Sequence, residues 1–381
     1  MEANEAAPER QPILIVGGGI GGMAFAIRAA EHGLPVEIVE IDPGWKVYGA
    51  GISITGPTYR ALKRLGLLEQ VCAKGHFITQ GAAICGPDGQ VISEVPMHPL
   101  EPGLPTAGGI LRPELHAIMA GQVLAAGVPV RLGATVTDVT ERADGVEVTF
   151  SSGDRRQYRA VVAADGAFSA MRERLFPQAP KPAYTGQFCW RLLADRPAQA
   201  DRPHFFMGRE LTCGVMPVSQ DQMYLWLLEN NRERRWLDEA QLAGELRAML
   251  APFGGPIMDA VRAAIDSGAN IIARPLDAVL LPLPWHSGRT ILIGDAAHAT
   301  TPHLASGAGI SIEDGLLLAD GFARGGAIGD IYAAFEARRW ERCRLVVEDS
   351  VAIGHMQQTA ASPAELNQRM HRAQSALAQE I

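Results

Sequence analysis

The glycines and the acid between residues 13 and 40 have the types and the spacing of a phosphate-binding turn. Gly17, Gly19 and Gly22 follow the apolar run Ile-Leu-Ile-Val and fit the pattern G-x-G-x-x-G. In such a turn the first glycine allows a tight bend, the second lets the backbone approach a pyrophosphate, and the third lets helix and strand pack closely. Glu40 lies 18 residues after Gly22, where an acid accepts a hydrogen bond from a ribose. The stretch predicts dinucleotide binding, with an ordinary βαβ turn as the alternative.

A second turn of this kind, Gly294-Asp295, follows an apolar strand near the other end of the chain. Gly307 and Gly309 come after it and begin a predicted helix, whose N-terminal N–H groups can stabilise negative charge. A short nucleotide is normally held by one contiguous half of a nucleotide domain, so contacts this far apart in the chain favour the longer FAD. No second G-x-G-x-x-G occurs, and a nicotinamide donor would therefore have no domain of its own. For Asp295 a simple helix N-cap is the alternative.

Hydrophobic periodicity predicts the elements that must position these turns. A strand, a helix and a second strand occupy residues 13–40, and buried strands recur at 161–164 and 290–293. Residues 82–95 alternate around a Pro-Asp-Gly turn and predict a hairpin. Residues 184–230 have a strand-like, aromatic pattern. Helices are predicted at 59–65, 115–124, 238–252, 257–266, 307–320 and 331–358, and a last helix begins at the capping box Ser362 to Glu365.

Composition excludes several classes of protein. The 381 residues are 47% hydrophobic and allow two or three domains. A net charge of −8 argues against nucleic acid and anionic membranes as partners. The five scattered cysteines are typical of a reduced protein, and we expect a cytoplasmic location. We find no metal-ligand cluster and no Ser-His-Asp set, and we predict no metal.

Four stretches resemble the single-component, class A FAD-dependent aromatic hydroxylases, which are related to para-hydroxybenzoate, salicylate and urate hydroxylases. They are the glycine-rich turn with Glu40, the stretch Leu-Arg112-Pro-Glu-Leu, the Asp165-Gly166 motif that runs to Arg172, and the segment from Gly294 to Asp314. The resemblance implies an α/β fold with a Rossmann-type, GR2-like FAD-binding domain, a β-sheet substrate domain interleaved with it, and C-terminal helices. The implied FAD-binding domain comprises 1–80, 108–175 and 285–358, the substrate domain 81–107 and 176–284, and the C-terminal helix 359–381.

The resemblance also implies which residues contact the cofactor. Lys46 stands where relatives have an arginine near the adenosine, and Val136 lies on a strand whose backbone meets the adenine. Asp165 with Arg172 resembles the motif that links the pyrophosphate to the nicotinamide donor, although a plain ion pair is the alternative. The full predicted set is Gly17, Gly19, Ile20, Gly21, Gly22, Glu40, Ile41, Lys46, Ser53, Arg112, Val136, Asp165, Arg172, Gly294, Asp295, Gly307, Ala308 and Gly309.

The chemistry implied by the family is hydroxylation of a small aromatic or heteroaromatic compound. NADH or NADPH reduces non-covalently bound FAD, O2 adds to form a flavin C4a-hydroperoxide, and its distal oxygen attacks the ring. The predicted catalytic residues are His303, Pro302, Arg191 and Tyr224. We interpret His303 as a base or a positioning group, with a role at the helix entry as the alternative, and Arg191 as a partner for a substrate carboxylate or for an ion pair.

Several aromatic and sulfur-containing residues on the predicted strands could cover the flavin, although a packed β core would explain about half of them. They are Phe188, Trp190, Phe205, Met216, Tyr224 and Trp226. Leu304 and Ile310 replace glutamines of salicylate-type relatives, so the local site should be less polar. The alternatives are another FAD-dependent dehydrogenase, epoxidase or halogenase, and a non-catalytic FAD-binding protein. The chain is expected to be a monomer or a homodimer.

Overall fold

The computed structural model describes residues 11–47, 49–208 and 211–381. Its strands are β1 (Ile13–Val16), β2 (Val36–Glu40), β3 (Gly51–Thr55), β4 (His76–Ile78), β5 (Ala82–Cys85), β6 (Val91–Val95), β7 (Ala107–Leu111), β8 (Val130–Leu132), β9 (Val136–Glu141), β10 (Val146–Phe150), β11 (Arg155–Tyr158), β12 (Ala160–Ala163), β13 (Ala183–Asp195), β14 (His204–Met207), β15 (Thr212–Pro217), β16 (Gln222–Asn230), β17 (Ile271–Ala278), β18 (His286–Ser287) and β19 (Thr290–Leu292).

The helices are α1 (Ile20–Glu31), α2 (Gly56–Arg64), α3 (Leu68–Lys74), α4 (Arg112–Ala125), α5 (Ala170–Leu175), α6 (Leu242–Leu250), α7 (Pro256–Asp266), α8 (Asp295–His298), α9 (Gly307–Arg324), α10 (Ile328–Gln358) and α11 (Pro363–Ala378), with a short 3-10 helix at Pro302–Leu304. None of these helices is long and apolar enough to cross a membrane.

The first core sheet has six strands in the order β18-β19-β12-β1-β2-β8. Its centre is parallel, because β1 pairs with β2 on one side and with β12 on the other. Both faces of β1 are buried, which explains why its sequence is a continuous apolar run rather than an alternating one. The carboxyl ends of β1, β12 and β19 meet at one edge, where the glycine-rich turn, the Asp165 motif and the Gly294-Asp295 turn all begin.

The second large sheet has seven strands in the order β17-β13-β16-β15-β14-β5-β6. Successive side chains of a strand point to opposite faces. Trp190 and Leu225 therefore lie in a core with Leu246 of α6 and Val261 of α7, on the helix-covered face. The opposite face carries Tyr224, whose cluster is a separate one and lies beside the first domain. The predicted aromatic set thus divides between the two faces.

Most predicted elements are present with shifted ends, and the hairpin at 82–95 is confirmed as β5 and β6. Sequence reasoning missed the small sheet β3-β7-β4, which connects the two large sheets. The reason lies in β7, where Gly108 and Gly109 give a poor strand signal. A β-carbon on Gly108 would overlap the hydroxyl of Tyr59, and one on Gly109 would overlap the carbonyl of Pro217. Close packing therefore requires glycine at positions 108 and 109, and these same glycines make the strand hard to recognise from the sequence.

The position of Trp190 in the helix-covered core leads to a prediction about stability. Its side chain is fully buried and its indole N–H donates to Glu229 Oε2 at 2.8 Å. Trp190→Ala should lower the free energy of unfolding by about 3–5 kcal/mol, the usual cost of a large aromatic cavity. Urea unfolding measures this change. Trp236→Ala is the matched control, because that side chain is 92% exposed and its loss should leave the unfolding free energy within about 0.5 kcal/mol of the parent.

Candidate active site

A cleft of about 1670 Å³ lies between the glycine-rich turn, the β3–α4 region, the turn after β19 and the seven-stranded sheet. Its walls come from segments that are far apart in the chain. The structure brings twelve of the predicted site residues together in this cleft: Gly19, Ile20, Gly21, Ser53, Arg112, Arg191, Tyr224, Gly294, Asp295, Pro302, Gly307 and Ala308.

The glycine-rich turn has the geometry of an anion site. Gly17 has a φ of 102°, and a β-carbon there would overlap the carbonyl of Ala164. A β-carbon on Gly22 would overlap the carbonyl of Gly17, so that glycine allows helix and strand to approach. Gly19 differs, because the space beside its α-carbon is open and belongs to the cleft. The first N–H groups of α1 point to this space, where a diphosphate would bind.

Glu40 supports the turn through both of its carboxylate oxygens, and its contact with a ribose stays a prediction. Its Oε2 accepts from Gly18 N at 2.7 Å, and its Oε1 accepts from Asp42 N at 2.8 Å. The indole N–H of Trp45 donates to the carbonyl of Gly18 at 2.9 Å. Both polar groups of Gly18 are therefore held by side chains. Sequence reasoning missed Trp45, because a tryptophan in a loop carries no recognised motif.

The three predicted residues of the adenosine end lie beyond the cleft walls. Ile41 is 68% exposed, which is unusual for a large apolar residue and leaves it available to an adenine. Lys46 is also exposed. Val136 is buried, so that only its backbone could contact a nucleotide. Contacts of these three residues with the cofactor stay a prediction.

Asp295 and Arg112, which are far apart in the sequence, both line the cleft. The surrounding protein limits hydration of both groups, which raises the pKa of Asp295 and lowers the pKa of Arg112. Each partly offsets the shift of the other through its opposite charge. The predicted contacts of Asp295 with a sugar-alcohol hydroxyl and of Arg112 with an anionic part of the cofactor stay predictions.

The N-terminus of α9 meets the cleft through Gly307 and Ala308. Its free N–H groups and positive dipole end point toward the middle of the cleft. Gly309 is not among the cleft residues, because its α-carbon lies against Thr58 of α2. Contact of the predicted residue Gly309 with the flavin therefore finds no support in this geometry, and Ala308 is the neighbouring residue that lines the cleft.

Arg172 does not extend to the cleft. Only 1% of it is exposed, and its guanidinium donates to the carbonyls of Ala296 at 2.8 Å and Ala167 at 2.7 Å. Asp165 accepts instead from the hydroxyl of Ser169 and from the backbone of Met171. Among the residues that the structure describes, Asp165 and Arg172 form no ion pair within 4 Å. Arg172 secures the turn after Asp295, and an incoming nicotinamide donor cannot reach its side chain in this arrangement.

His303 also points away from the cleft, although Pro302 beside it lines the wall. Its Nδ1 lies 2.8 Å from Thr301 Oγ1, and its ring rests against Gly354 of α10. Burial lowers the pKa of His303 to about 4. The ring is therefore neutral near pH 7 and is not directed at the place where a substrate would bind. A direct role as base finds no support in this geometry.

Arg191 and Tyr224 face the cleft from adjacent strands of the seven-stranded sheet. The Tyr224 hydroxyl lies 2.6 Å from Ser53 Oγ, which joins the sheet to the nucleotide domain. Burial raises the pKa of Tyr224, so the phenol is neutral. Arg191 has no carboxylate within 4 Å in the described parts of the chain. An unpaired guanidinium next to a neutral phenol can bind an anionic oxygen.

A model of the FAD binding domain matches residues 10–350 of the chain. The chain belongs to this family. The predicted cofactor FAD and the predicted membership among class A FAD-dependent monooxygenases are therefore confirmed. FAD fits the residues described above, because the open space at Gly19 would take its diphosphate, Asp295 a ribityl hydroxyl, and the N-terminus of α9 the anionic edge of the reduced ring.

The chain is similar to two relatives of known name and to one solved structure. Aurachin C monooxygenase/isomerase of Stigmatella aurantiaca is 30% identical over 91% of this chain and 89% of its own length. The 2-heptyl-3-hydroxy-4(1H)-quinolone synthase of Pseudomonas aeruginosa is 30% identical over 81% of this chain and 79% of its own length. Klebsiella pneumoniae HpxO, solved with FAD and uric acid, superposes with a TM-score of 0.83 at 22% identity, covering 99% of this chain and 95% of HpxO. This superposition supports the predicted α/β fold class.

The open space at Gly19 predicts a variant that folds but does not bind the cofactor. Gly19→Val places a branched side chain where the diphosphate would lie, and a β-carbon at this position meets no protein atom within 4 Å. FAD titration of the apoprotein should show loss of binding, with an unchanged melting temperature of the apoprotein. Gly121→Val, at an exposed and unobstructed position of α4, should bind FAD like the parent. Retention of stoichiometric FAD by the folded Gly19→Val variant would contradict the assignment.

The low pKa of His303 predicts a pH dependence of stability. The unfolded chain takes up a proton near pH 6.5, whereas the folded chain does so only near pH 4. The unfolded state therefore binds more protons within this window, and stability falls as the pH falls through it. His303→Gln should remove about 2 kcal/mol of the difference between the unfolding free energies at pH 7 and pH 5. His355→Gln, an exposed position on α10, should keep the full difference.

Proposed function

We propose that the protein is an NAD(P)H-dependent FAD monooxygenase that hydroxylates a small aromatic or heteroaromatic compound. The observation that carries this proposal is the composition of the cleft. Its floor has the groups that fit FAD. Its roof is a sheet face with Tyr224, nearby aromatic rings and Arg191, which has no carboxylate partner among the residues that the structure describes. A flat substrate could lie between this roof and the flavin. A purely structural FAD-binding protein would have no need of an unpaired cation at that place.

The relatives support an aromatic nitrogen heterocycle as the substrate class. One relative is named for a 3-hydroxy-4(1H)-quinolone, and the HpxO structure contains uric acid. Both compounds are flat, bicyclic and rich in polar ring atoms. They also carry oxygen substituents that can lose a proton. The positive charge of Arg191 would bind such a deprotonated oxygen in the substrate of this chain.

When bound, the flavin accepts two electrons from NADH or NADPH and supplies the activation of O2. The overall balance consumes O2, NAD(P)H and a proton, and yields the hydroxylated ring, water and NAD(P)+. The protein has to hold the ring in place, favour its electron-rich form and keep water out. Both NADH and NADPH fit this balance, because each delivers one hydride to the flavin.

Arg191 would act by binding the anionic form of the substrate. The guanidinium is held on β13, opposite Trp226 of β16, so its position is set by the sheet. A positive charge that stabilises a phenolate-like oxygen raises the electron density of the ring and favours attack by an electrophilic oxygen. The hydroxyl of Tyr224, held by Ser53, would hydrogen-bond to the same substituent and orient the ring. Trp226, whose ring centre lies 5.9 Å from that of Phe205, packs against the cluster that contains Tyr224.

The test is a substrate screen by stimulated NAD(P)H oxidation. Purified holoprotein is mixed with NADH or NADPH and with each compound of a panel of hydroxyquinolones, purines and hydroxybenzoates. Oxidation is followed as the loss of absorbance of the reduced nicotinamide at about 340 nm. Reactions run in 18O-labelled O2 should yield a product that carries one labelled oxygen. Oxidation that no aromatic compound stimulates, or product oxygen that comes from water, would exclude a monooxygenase and favour a dehydrogenase or a non-catalytic role.

Substitution of Arg191 tests the proposed contact with the substrate. Arg191→Met should raise KM between about tenfold and a hundredfold, because a hydrogen bond to a charged group contributes about 1.5–3 kcal/mol. FAD affinity should not change. The matched control is Arg274→Met, which removes a guanidinium that lines the same cleft from β17 and whose partner is the carbonyl of Ala273. Equal effects of the two substitutions would indicate general electrostatic attraction rather than a specific contact.

A further inference from the structure

A buried carboxylate lies directly behind the turn that begins α8. Asp314 of α9 is fully buried, and its Oδ2 accepts from Gly294 N at 2.8 Å. The same oxygen lies 2.6 Å from His298 Nε2, while Oδ1 accepts from Arg339 Nε at 2.7 Å. Although burial alone would raise the pKa of Asp314, His298 and Arg339 lower it to about 2. The group is therefore a carboxylate with three donors around it.

The network continues from Asp314 to the end of the chain. Arg339 also donates to Glu313 Oε2 at 2.8 Å, and Arg342 donates to both oxygens of Glu313 at 2.8 Å. Arg342 then donates to the carbonyl of Leu377 at 2.7 Å, in the last turn of α11. Positive groups are favourable at this end of a helix, where the carbonyls lack intrahelical partners. An unbroken series of hydrogen bonds thus connects the C-terminal helix with the Gly294-Asp295 turn.

The turn is short and is held partly by contacts from other segments. The carbonyl of Gly294 accepts from Ala297 N and His298 N at 2.9 Å, and Arg172 donates to the carbonyl of Ala296 at 2.8 Å. Gly294 has a φ of 59°, and α8 contains only four residues, so its backbone makes few helical hydrogen bonds. The bond from Gly294 N to Asp314 ties this turn to α9, whose N-terminus lines the same cleft. Two parts of the proposed flavin site are therefore fixed relative to each other by one carboxylate.

We propose that Asp314 is a positioning residue that orients Asp295 toward the cofactor, and that the C-terminal helix α11 secures Asp314 through Arg342, Glu313 and Arg339. This inference rests on the proposed contact between Asp295 and FAD. It extends the cofactor site beyond residue 350, where the match to the family model ends. Asp314 does not line the cleft, and it acts on the turn through its hydrogen bonds with Gly294 and His298, which lie on either side of Asp295 in the sequence.

A metal site is the competing interpretation of this cluster. His298, Asp314 and Cys343 offer three atoms of metal-binding type within 4.8 Å of one another. However, Arg339 already brings a full positive charge to Asp314 Oδ1, and Gly294 and His298 engage Oδ2. A cation there would have to displace these donors and would stand next to a buried guanidinium. The hydrogen-bond pattern therefore favours an ion-pair network.

Asp314→Asn, studied as holoprotein and as apoprotein, tests the inference. The amide cannot accept from all three donors, so the turn should lose its fixed orientation. We expect the Kd of FAD to rise between about tenfold and a hundredfold. The visible spectrum and the midpoint potential of the remaining bound flavin should also change, because the hydrogen bonds to the cofactor are rearranged. A merely structural residue would lower the melting temperature and leave the spectrum, the potential and the Kd alone.

Asp349→Asn is the matched control. Asp349 is also a buried acid that receives a guanidinium, Arg369 Nη1, at 2.6 Å, but it joins α10 to α11 away from the cleft. The Asp349→Asn variant should lose stability, as Asp314→Asn does, but should keep the parental Kd of FAD and the parental flavin spectrum. Equal effects of the two variants on FAD binding would overturn the inference. So would a parental Kd and spectrum in folded Asp314→Asn.

Arg342→Met provides a second, milder test in case Asp314→Asn does not fold. It breaks the series between α11 and Glu313 and leaves the hydrogen bonds of Asp314 in place. We expect a rise in the Kd of FAD of about threefold to tenfold with the same direction of spectral change, and an unchanged Kd would overturn the role of α11. FAD titration does not depend on turnover. An inactive parent that binds FAD would therefore contradict the proposed function without affecting this inference.

Discussion

Three backbone segments from distant parts of the chain approach one another without side chains between them, and the cleft depends on this close approach. Gly17 contacts the carbonyl of Ala164, and Gly22 contacts the carbonyl of Gly17. Gly315 of α9 lies against the backbone of α1 at Ala24 and Phe25. A β-carbon at any of these glycines would separate the segments. Because they touch, the first N–H groups of α1 and α9 face one common space, which is the condition for holding one long anionic cofactor.

The second constraint is the two-sided character of the seven-stranded sheet. One face is covered by α6 and α7, and their shared core, with residues such as Trp190 and Leu225, stabilises this part of the protein. The other face is left for the cleft and carries Arg191 and Tyr224. Strand geometry imposes this division, since neighbours in sequence point to opposite sides. Function and stability can therefore be changed separately in the same strand, for example at Trp190 and Arg191.

Buried charge is concentrated behind the cofactor site rather than within it. Asp314, Glu313 and Arg339 are removed from water and would be costly if any one of them lacked a partner. Their mutual hydrogen bonds offset this cost only when the geometry is kept. The result is a rigid support for the Gly294-Asp295 turn. In contrast, Arg191 and Asp295 face the open cleft, where a ligand can complete their contacts.

The sequence by itself determined the family, the cofactor and the order of the elements, because these depend on local patterns. The glycine-rich turn, the apolar strands and the Gly294-Asp295 turn are recognisable from residue type and spacing alone. The fold class is what the family resemblance of these motifs implies. The division of the aromatic residues into a core set and a cleft set was open, since alternation indicates two faces without indicating which one meets the cofactor.

Only the tertiary structure decided which side chains of the matched motifs reach the cleft. Three residues lie in stretches that resemble the family and yet point elsewhere. His303 packs against Gly354, Arg172 donates to backbone carbonyls, and Gly309 lies against Thr58. The structure also identifies one supporting residue for each turn. Trp45 donates to Gly18 of the glycine-rich turn, and Asp314 accepts from Gly294. The direction of a side chain depends on what the rest of the chain places beside it. Residue type and spacing do not contain that information, because the neighbours come from segments hundreds of positions apart.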